Sequence, residues 1–192
     1  MRRIILASSS PFRKALLERL QLTFDTTSAD IDESRHDNES PSKLVQRLAR
    51  TKANVIAEKT LDSIIIGSDQ VAVCENQILG KPGNFQKAVE QLKFLSGKRV
   101  CFHTGLCVIS THDAKIQTDE VKFYVGFRDL SESMIQNYLT KEPAFNCAGS
   151  FKSEGLGITL LSRMQGSDPT ALIGLPLIRL REMLEEAGVD II

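Results

Sequence analysis

The chain builds its first strand and first helix from one stretch, Ile4-Ile5-Leu6-Ala7-Ser8-Ser9-Ser10-Pro11-Phe12-Arg13. The apolar residues predict a short buried strand. Ser10 and Pro11 predict a helix start, because serine caps helix N-termini and proline suits the first helical position. The free N–H groups of that helix would favour an anion, and Ser8, Ser9 and Arg13 add further donors. The stretch therefore predicts a phosphate site, with an ordinary capped helix as the alternative.

Strand and helix signals alternate along the rest of the chain, as in an α/β domain. Helices are predicted from Ser40-Pro41 to about Glu58, from Asn84 to Ser96, after Ser131, and from Pro176 to about Ala187. Strands are predicted at 64–67, in a hairpin at 71–79, and at 99–109 and 115–127. Parallel-type and hairpin strands together favour a mixed twisted sheet with flanking helices. No linker or repeat interrupts residues 1–192, so we expect a single domain.

Composition excludes several classes of protein. The 24 basic and 24 acidic residues give zero net charge, which argues against broad binding to nucleic acid or membranes. Four cysteines without short spacings and three histidines suggest neither a disulfide framework nor a zinc site. The N-terminal apolar run is too short for a signal peptide, and no run approaches membrane-spanning length. We therefore expect a cytoplasmic protein.

Helix faces are predicted from the spacing of apolar residues. Phe12, Leu16 and Leu20 mark the buried face of the first helix, and Phe85 begins that of the third. On the second helix Lys52 lies on the apolar face, near Leu48. A lysine there either reaches a ligand or extends its amine to water along the edge of the core, and the second is commoner.

Three further positions carry two interpretations each. Asp69 follows the apolar run in Gly67-Ser68-Asp69-Gln70, which places it at the carboxyl end of a strand, where ligand clefts open in α/β sheets. An aspartate that bonds its own turn is the alternative. Lys81 lies in the turn Gly80-Lys81-Pro82 and, like Lys52, could reach a ligand. The alternative is an ordinary loop lysine in contact with water. Asp32-Glu33 is either a metal-binding pair or part of a solvated acidic stretch at 30–39.

Two common nucleotide-binding motifs are absent. Gly97-Lys98 continues with Arg99 and has no glycine five residues earlier, which excludes the P-loop pattern. Gly155 and Gly157 are followed by Leu160 where the dinucleotide fingerprint needs glycine.

The ordered motifs of the chain resemble those of the Maf-like nucleotide pyrophosphatases over its whole length. They are Leu6-Ala7-Ser8-Ser9-Ser10-Pro11-Phe12-Arg13, Arg47-Leu48-Ala49 with Lys52-Ala53, Gly67-Ser68-Asp69-Gln70, Gly80-Lys81-Pro82, Ala148-Gly149-Ser150 and Gly174-Leu175-Pro176-Leu177. The resemblance implies a Maf/ITPase-like α/β fold with two lobes around a deep cleft. It also implies hydrolysis of nucleoside triphosphates to monophosphate and pyrophosphate with Mg²⁺ or Mn²⁺.

Residue roles carry over from the resemblance at the matching positions. Those implied to bind the phosphates are Ser8, Arg13, Lys52 and Lys81. Asp69 would be the catalytic carboxylate, either as the base or as a metal ligand, and Glu33 its partner at the metal. The resemblance implies a small-molecule nucleotide as ligand, neither nucleic acid nor membrane as partner, and allows for a homodimer.

Three positions distinguish branches of the family. Phe12, Gln70 and Glu154 resemble the branch that acts on 7-methyl-GTP, whereas the dTTP and UTP branch resembles a basic residue, threonine and glutamine there. A carboxylate accepts from the N–H donors of guanine, and an aromatic ring stacks on a cationic methylated purine. Phe12 as a core residue is the alternative. The resemblance also allows a nucleotide-binding regulatory protein, linked to cell-division arrest, without significant turnover.

Overall fold

The computed structural model describes residues 2–192 and contains seven strands and six α-helices in that range. The strands are β1 (Arg3–Leu6), β2 (Phe24–Thr26), β3 (Ser63–Cys74), β4 (Gln77–Leu79), β5 (Arg99–Ser110), β6 (Lys115–Phe127) and β7 (Leu161–Gln165). The helices are α1 (Pro11–Glu18), α2 (Pro41–Ala57), α3 (Phe85–Leu95), α4 (Glu132–Lys141), α5 (Thr170–Ile173) and α6 (Leu177–Glu186). Short 3-10 turns lie at Ala148–Ser150 and Leu156–Leu160, between α4 and β7.

All strands belong to one mixed sheet with the order β2-β1-β3-β5-β6-β7, and β4 pairs with β3 off this path. Strand β1 runs parallel to β2 and β3, and Leu6 lies opposite Ile66. Pairs β3–β4 and β6–β7 are antiparallel. The predicted mixed α/β fold with flanking helices is therefore confirmed.

The described chain divides into two compact units. The first contains the chain up to Gln70 with Thr104–Val121 and Asp168–Ile192, and the second contains Val71–His103 and Lys122–Ser167. In the first unit, alternate residues of β1 and β3 enter different core clusters. Ile4 and Ile64 pack with leucines of α1 and α6, whereas Ile5 packs with alanines of α2. The sheet of this unit is thus covered on both faces, as its continuously apolar strands predict.

Local signals predicted the helix starts well. Ser10, Ser40, Asn84 and Ser131 each accept a hydrogen bond from the backbone N–H three residues later, as N-caps do. The hairpin at 71–79 is also confirmed. Its turn residues Glu75 and Asn76 have φ of 47° and 65°, the left-handed conformation that two-residue hairpin turns require.

Two predictions about side-chain burial were wrong. In α1 the buried residues are Leu16 and Leu17, whereas Phe12 is partly exposed. Leu20 lies just beyond α1, is partly buried and packs against the core cluster that contains Leu16 and Leu17, as predicted. Phe85 is 41% exposed because it occupies the first turn of α3, where it packs edge-on against Phe145 with 6.3 Å between ring centroids. Within residues 2–192, no helix is long and apolar enough to cross a membrane.

Candidate active site

Asp69 lies inside a strand, so its predicted position at a strand end was wrong. Strand β3 continues from Ser63 to Cys74 because it pairs with β5 and β4 beyond the end of β1. The apolar run of β3 stops near the point where the shorter β1 ends opposite Ile66. Side chains of a strand alternate between faces. Gly67 and Asp69 therefore face α2, whereas Ser68 and Gln70 face the loop around Gly174.

Two glycines allow α2 to lie directly on the sheet backbone. A Cβ atom on Gly67 would come within 2.1 Å of the Ala49 carbonyl oxygen, and one on Gly105 within 2.2 Å of the Val45 carbonyl oxygen. Any other residue at either position would push the helix away from the sheet. This close approach brings the side chain of Lys52 to Asp69.

The Lys52 amine joins two carboxylates. Its Nζ lies 2.7 Å from Asp69 Oδ1 and 2.6 Å from Glu33 Oε1. Lys52 and Asp69 are both only 7% exposed, whereas the Glu33 side chain is 56% exposed. The amine therefore does not extend into water along the core edge. A buried ammonium with two carboxylates is a charged cluster that costs free energy to desolvate, and such clusters concentrate at functional sites.

Ser8 and Arg13 form a second polar group at the end of β1. The Ser8 hydroxyl oxygen accepts hydrogen bonds from Ser10 N at 3.2 Å and from Arg13 Nη1 at 3.4 Å. Arg13 Nε also donates to the carbonyl oxygen of Gly174 at 2.9 Å. Burial lowers the pKa of the Arg13 guanidinium, and the negative charges of Asp69 and Glu33 oppose that shift. Arg13 thus shares the electrostatic field of the Lys52 cluster.

Gln70 is held by its amide nitrogen. Its Nε2 lies 3.1 Å from Thr104 Oγ1, 2.7 Å from the Ala171 carbonyl oxygen and 3.2 Å from that of Leu172. These acceptors engage both N–H groups and fix the orientation of the amide. The Gln70 side chain therefore presents its oxygen, an acceptor, on its remaining side.

Lys81 and Glu154 lie in the second unit, both exposed. The Lys81 turn is fixed by Gln91 Nε2, which donates to the Gly80 carbonyl oxygen at 3.2 Å. Burial raises the pKa of the Cys147 thiol to about 11, the Glu154 charge acting in the same direction and the Lys81 charge opposing it. Both charged groups therefore lie near Cys147, whose protonated thiol is a poor nucleophile at neutral pH.

The donor set at Glu33 and Asp69 suits a hard divalent cation. Both are carboxylates, and Mg²⁺ is commonly bound by one or two carboxylates together with waters and substrate phosphates. Within residues 2–192, no group of three His, Cys, Asp or Glu side chains is arranged to hold a metal ion. Two carboxylates are too few for a closed structural site, and a cation held by them would need waters or substrate phosphates to complete its coordination.

An ion pair between Glu39 and Arg47 was not predicted from the sequence. Arg47 Nε lies 2.7 Å from Glu39 Oε1 and Nη2 lies 2.8 Å from Oε2, a bidentate pair. Glu39 is only 9% exposed, although it ends a stretch interpreted as solvated. Arg47 belongs to the motif Arg47-Leu48-Ala49 of the family resemblance, and this was the only feature of the sequence that could have drawn attention to it.

The Glu39 pair predicts a pH-dependent contribution to stability. Hydrogen bonding from Arg47 lowers the pKa of Glu39 to about 2. Because this pKa lies below the unfolded value of about 4.3, the pair stabilises the fold above that pH and is lost as pH falls towards 2. Glu39→Gln should lower the free energy of unfolding at pH 7 by about 1.5 to 3 kcal/mol.

Urea unfolding of the wild type and Glu39→Gln at pH 7, 5 and 3 measures this contribution. The difference between the two proteins should shrink at pH 3, because the unfolded chain, with a pKa of about 4.3, then binds a proton at Glu39 while the folded protein keeps the carboxylate ionised down to about pH 2. Glu18→Gln, which removes an exposed helix carboxylate, is the matched control. A difference that is unchanged from pH 7 to pH 3 would contradict the assignment of the lowered pKa.

Comparisons with known proteins agree with this architecture. A model of the family described as Maf-like protein matches residues 3–187. The chain belongs to the Maf-like protein family. A protein of Colwellia psychrerythraea named 7-methyl-GTP pyrophosphatase is 51% identical over 192 residues, which cover 100% of this chain and 96% of the relative. A protein of Alcanivorax borkumensis with the same name is 53% identical over 188 residues, 98% of this chain and 95% of the relative.

A solved structure supports the fold of this Maf-like chain. The Ham1 protein of Staphylococcus aureus matches with a TM-score of 0.55 and 13% identity, over 98% of this chain and 100% of that one. At this identity the match concerns the fold alone.

Proposed function

We propose that the chain hydrolyses a nucleoside triphosphate, 7-methyl-GTP, between its α- and β-phosphates, releasing nucleoside monophosphate and pyrophosphate. The relatives named 7-methyl-GTP pyrophosphatase support this substrate. The observation that carries the proposal is the cluster in which Lys52 Nζ lies within 2.7 Å of both Asp69 and Glu33 carboxylates. We further propose that residues 1–192 act as one domain in the cytoplasm.

The proposed mechanism needs charge to be offset before water can attack the α-phosphorus. Ser8 and Arg13 at the start of α1, with Lys52 and Lys81, would bind the phosphate oxygens. Arg13 is suited to this because its Nε is fixed on the Gly174 carbonyl oxygen, which orients the rest of the guanidinium. Offsetting the phosphate charge in this way lowers the barrier to attack.

Asp69 is proposed as the catalytic carboxylate. It would accept the proton of the attacking water or bind the metal ion together with Glu33. The water oxygen forms a bond to the α-phosphorus, the bond from that phosphorus to the bridging oxygen breaks, and pyrophosphate departs with the bridging oxygen and the electron pair. A bound Mg²⁺ or Mn²⁺ would supply Lewis-acid polarisation of phosphate oxygens. No covalent intermediate is required.

Recognition of the base is assigned to Phe12, Gln70 and Glu154. The Glu154 carboxylate would accept from the N–H donors of guanine, and the partly exposed ring of Phe12 would stack on the methylated purine. Gln70, held through its Nε2, would offer its amide oxygen as an acceptor. Uracil and thymine present carbonyl groups beside their single ring N–H, which a carboxylate repels.

A regulatory protein that binds nucleotides without turnover is the competing proposal. The buried carboxylate of Asp69 argues against it. A pure binding site for phosphates gains from losing a nearby negative charge, because like charges weaken anion binding. Asp69 is instead fixed beside Lys52 and close enough to Arg13 to affect its pKa.

The decisive test measures pyrophosphate release from 7-methyl-GTP, GTP, UTP and dTTP, by the wild type and Glu154→Gln. We expect 7-methyl-GTP to be preferred over GTP and strongly over UTP and dTTP. The loss of a charge-assisted hydrogen bond is worth about 1.5 to 3 kcal/mol, so kcat/KM of the variant for 7-methyl-GTP should fall about 10- to 100-fold.

Glu154→Gln should also reduce the ratio of kcat/KM for 7-methyl-GTP to kcat/KM for UTP and dTTP. Glu90→Gln, which changes an exposed carboxylate of the same unit, is the control and should leave the ratios unchanged. A wild type that hydrolyses UTP or dTTP as well as 7-methyl-GTP would refute the base assignment. Binding of 7-methyl-GTP without release of pyrophosphate would refute the enzyme and favour the regulatory protein.

A further inference from the structure

We propose that Arg47 is a positioning residue that holds the Glu33 segment at the Lys52 cluster, with Glu39 as its fixed partner. The inference rests on the proposed function in one respect, the role of Glu33 at the metal. Its structural basis is independent of that role, because it comes from the contacts of α2 with the segment at 32–39.

The segment that carries Glu33 has no regular secondary structure between residues 27 and 36. Asp32 closes a turn around Glu33, since its Oδ1 accepts from Ser34 N at 2.9 Å and its Oδ2 from the Ser34 hydroxyl at 2.8 Å. Every residue from 32 to 38 is exposed. Packing in the core therefore does not fix the segment, and its position depends on polar contacts.

Arg47 supplies three of those contacts. Besides the bidentate pair with Glu39, its Nη2 donates to the Ser34 carbonyl oxygen at 2.9 Å, directly after Glu33. The guanidinium thus binds the segment at both ends of the stretch 34–39. Arg35 Nε donates to the Glu39 carbonyl oxygen at 2.6 Å, and His36 N to Glu39 Oε2 at 3.2 Å, which tie the middle of the stretch to the same carboxylate residue.

The same helix also holds the carboxylate. Lys52 follows Arg47 by five residues on α2 and binds Glu33 Oε1 at 2.6 Å. Arg47 therefore fixes the backbone next to Glu33, and Lys52 fixes its side chain. Glu39 is buried just before the N-cap of α2, so one end of the Arg47 fork is anchored in a rigid place.

Arginine is specifically suited to this position. Its planar fork binds two carboxylate oxygens and a carbonyl oxygen at once, whereas a lysine at the same place is a single point charge on a flexible stem. Arg47→Lys keeps the charge and removes the fork. It is therefore the sharpest variant for separating position from charge.

The first measurement is hydrogen exchange on the metal-free protein, which does not depend on catalysis. Arg47→Lys and Glu39→Gln should each raise amide exchange in residues 32–39 and leave exchange in β3 unchanged. Arg50→Lys, an exposed arginine on the same helix, is the matched control and should alter neither region. Unchanged exchange in residues 32–39 of both variants would overturn the proposal.

The second measurement tests whether Arg47 acts through Glu33. Loss of a residue that supports a metal ligand commonly costs about 10- to 100-fold in metal affinity or activity. Arg47→Lys should therefore weaken Mn²⁺ binding, followed by electron paramagnetic resonance, by about 10-fold in the wild-type background. In a Glu33→Gln background the same substitution should change Mn²⁺ affinity little, because the ligand it positions is already absent.

Equal losses of affinity in both backgrounds would mean that Arg47 acts only on overall structure, and would overturn the proposal. A protein that binds Mn²⁺ through Glu33 yet releases no pyrophosphate would refute the proposed function and leave the role of Arg47 intact. Increased exchange at 32–39 combined with equal Mn²⁺ affinity of wild type and Glu33→Gln would refute the role of Glu33 at the metal.

Discussion

Asp69→Asn is expected to lower kcat/KM for 7-methyl-GTP at least about a hundredfold while the protein remains folded, the loss typical of a missing general base or metal-orienting group. Asparagine has the size of aspartate and keeps an oxygen that can accept from Lys52 Nζ, which lies 2.7 Å from Asp69 Oδ1. It is a far weaker base and metal ligand. The substitution therefore removes the chemistry and conserves the packing of β3 against α2.

Pyrophosphate release at saturating Mg²⁺ and Mn²⁺, with thermal unfolding of the same samples, tests this result. Asp190→Asn, at an exposed position near the end of the chain, is the control and should match the wild type in both measurements. Turnover near the wild-type rate with either metal ion would show that Asp69 is not the catalytic carboxylate. The mechanism proposed above would then be wrong.

The fold could be predicted where local chemistry decides the structure. Ser10 and Ser40 precede proline, and each was predicted to begin a helix; their hydroxyl groups accept from Arg13 N and Lys43 N. A cap involves residues three apart, so the sequence contains the whole interaction. The same holds for the hairpin turn at Glu75-Asn76, whose pairing Cys74 to Gln77 is local.

The site depended on contacts between distant residues, and there sequence patterns were insufficient. Strands were predicted on both sides of Asp69, at 64–67 and from 71, but their union into one strand depends on pairing with β5, some 30 residues further along the chain. The burial of Glu39 likewise requires the Arg47 fork on the next helix. Lys52 was recognised as unusual because a charge on an apolar helix face conflicts with the local pattern, and such conflicts commonly mark functional sites.

Lys52→Met is expected to weaken transition-state stabilisation by about 2 to 4 kcal/mol, because an ammonium that faces developing phosphate charge in a shielded site is lost. In kcat/KM this is about 30- to 1,000-fold. The variant should also unfold more easily, since Asp69 loses the partner that lies 2.7 Å away and stays buried. Stability alone therefore does not separate a catalytic lysine from a structural one.

Lys52→Arg distinguishes a catalytic lysine from a structural one. Arginine keeps a cation beside Asp69 and Glu33, so most of the stability should be retained, but its fork places the charge differently from an ammonium. We expect kcat/KM to fall at least about tenfold in this stable variant, because the positioned charge is displaced from the reacting phosphate. Lys59→Met, at an exposed position just past the end of α2, is the control for loss of a lysine. If Lys52→Arg recovers both stability and activity, the site needs only a counter-charge for its two carboxylates, and the assignment of Lys52 to the phosphates fails.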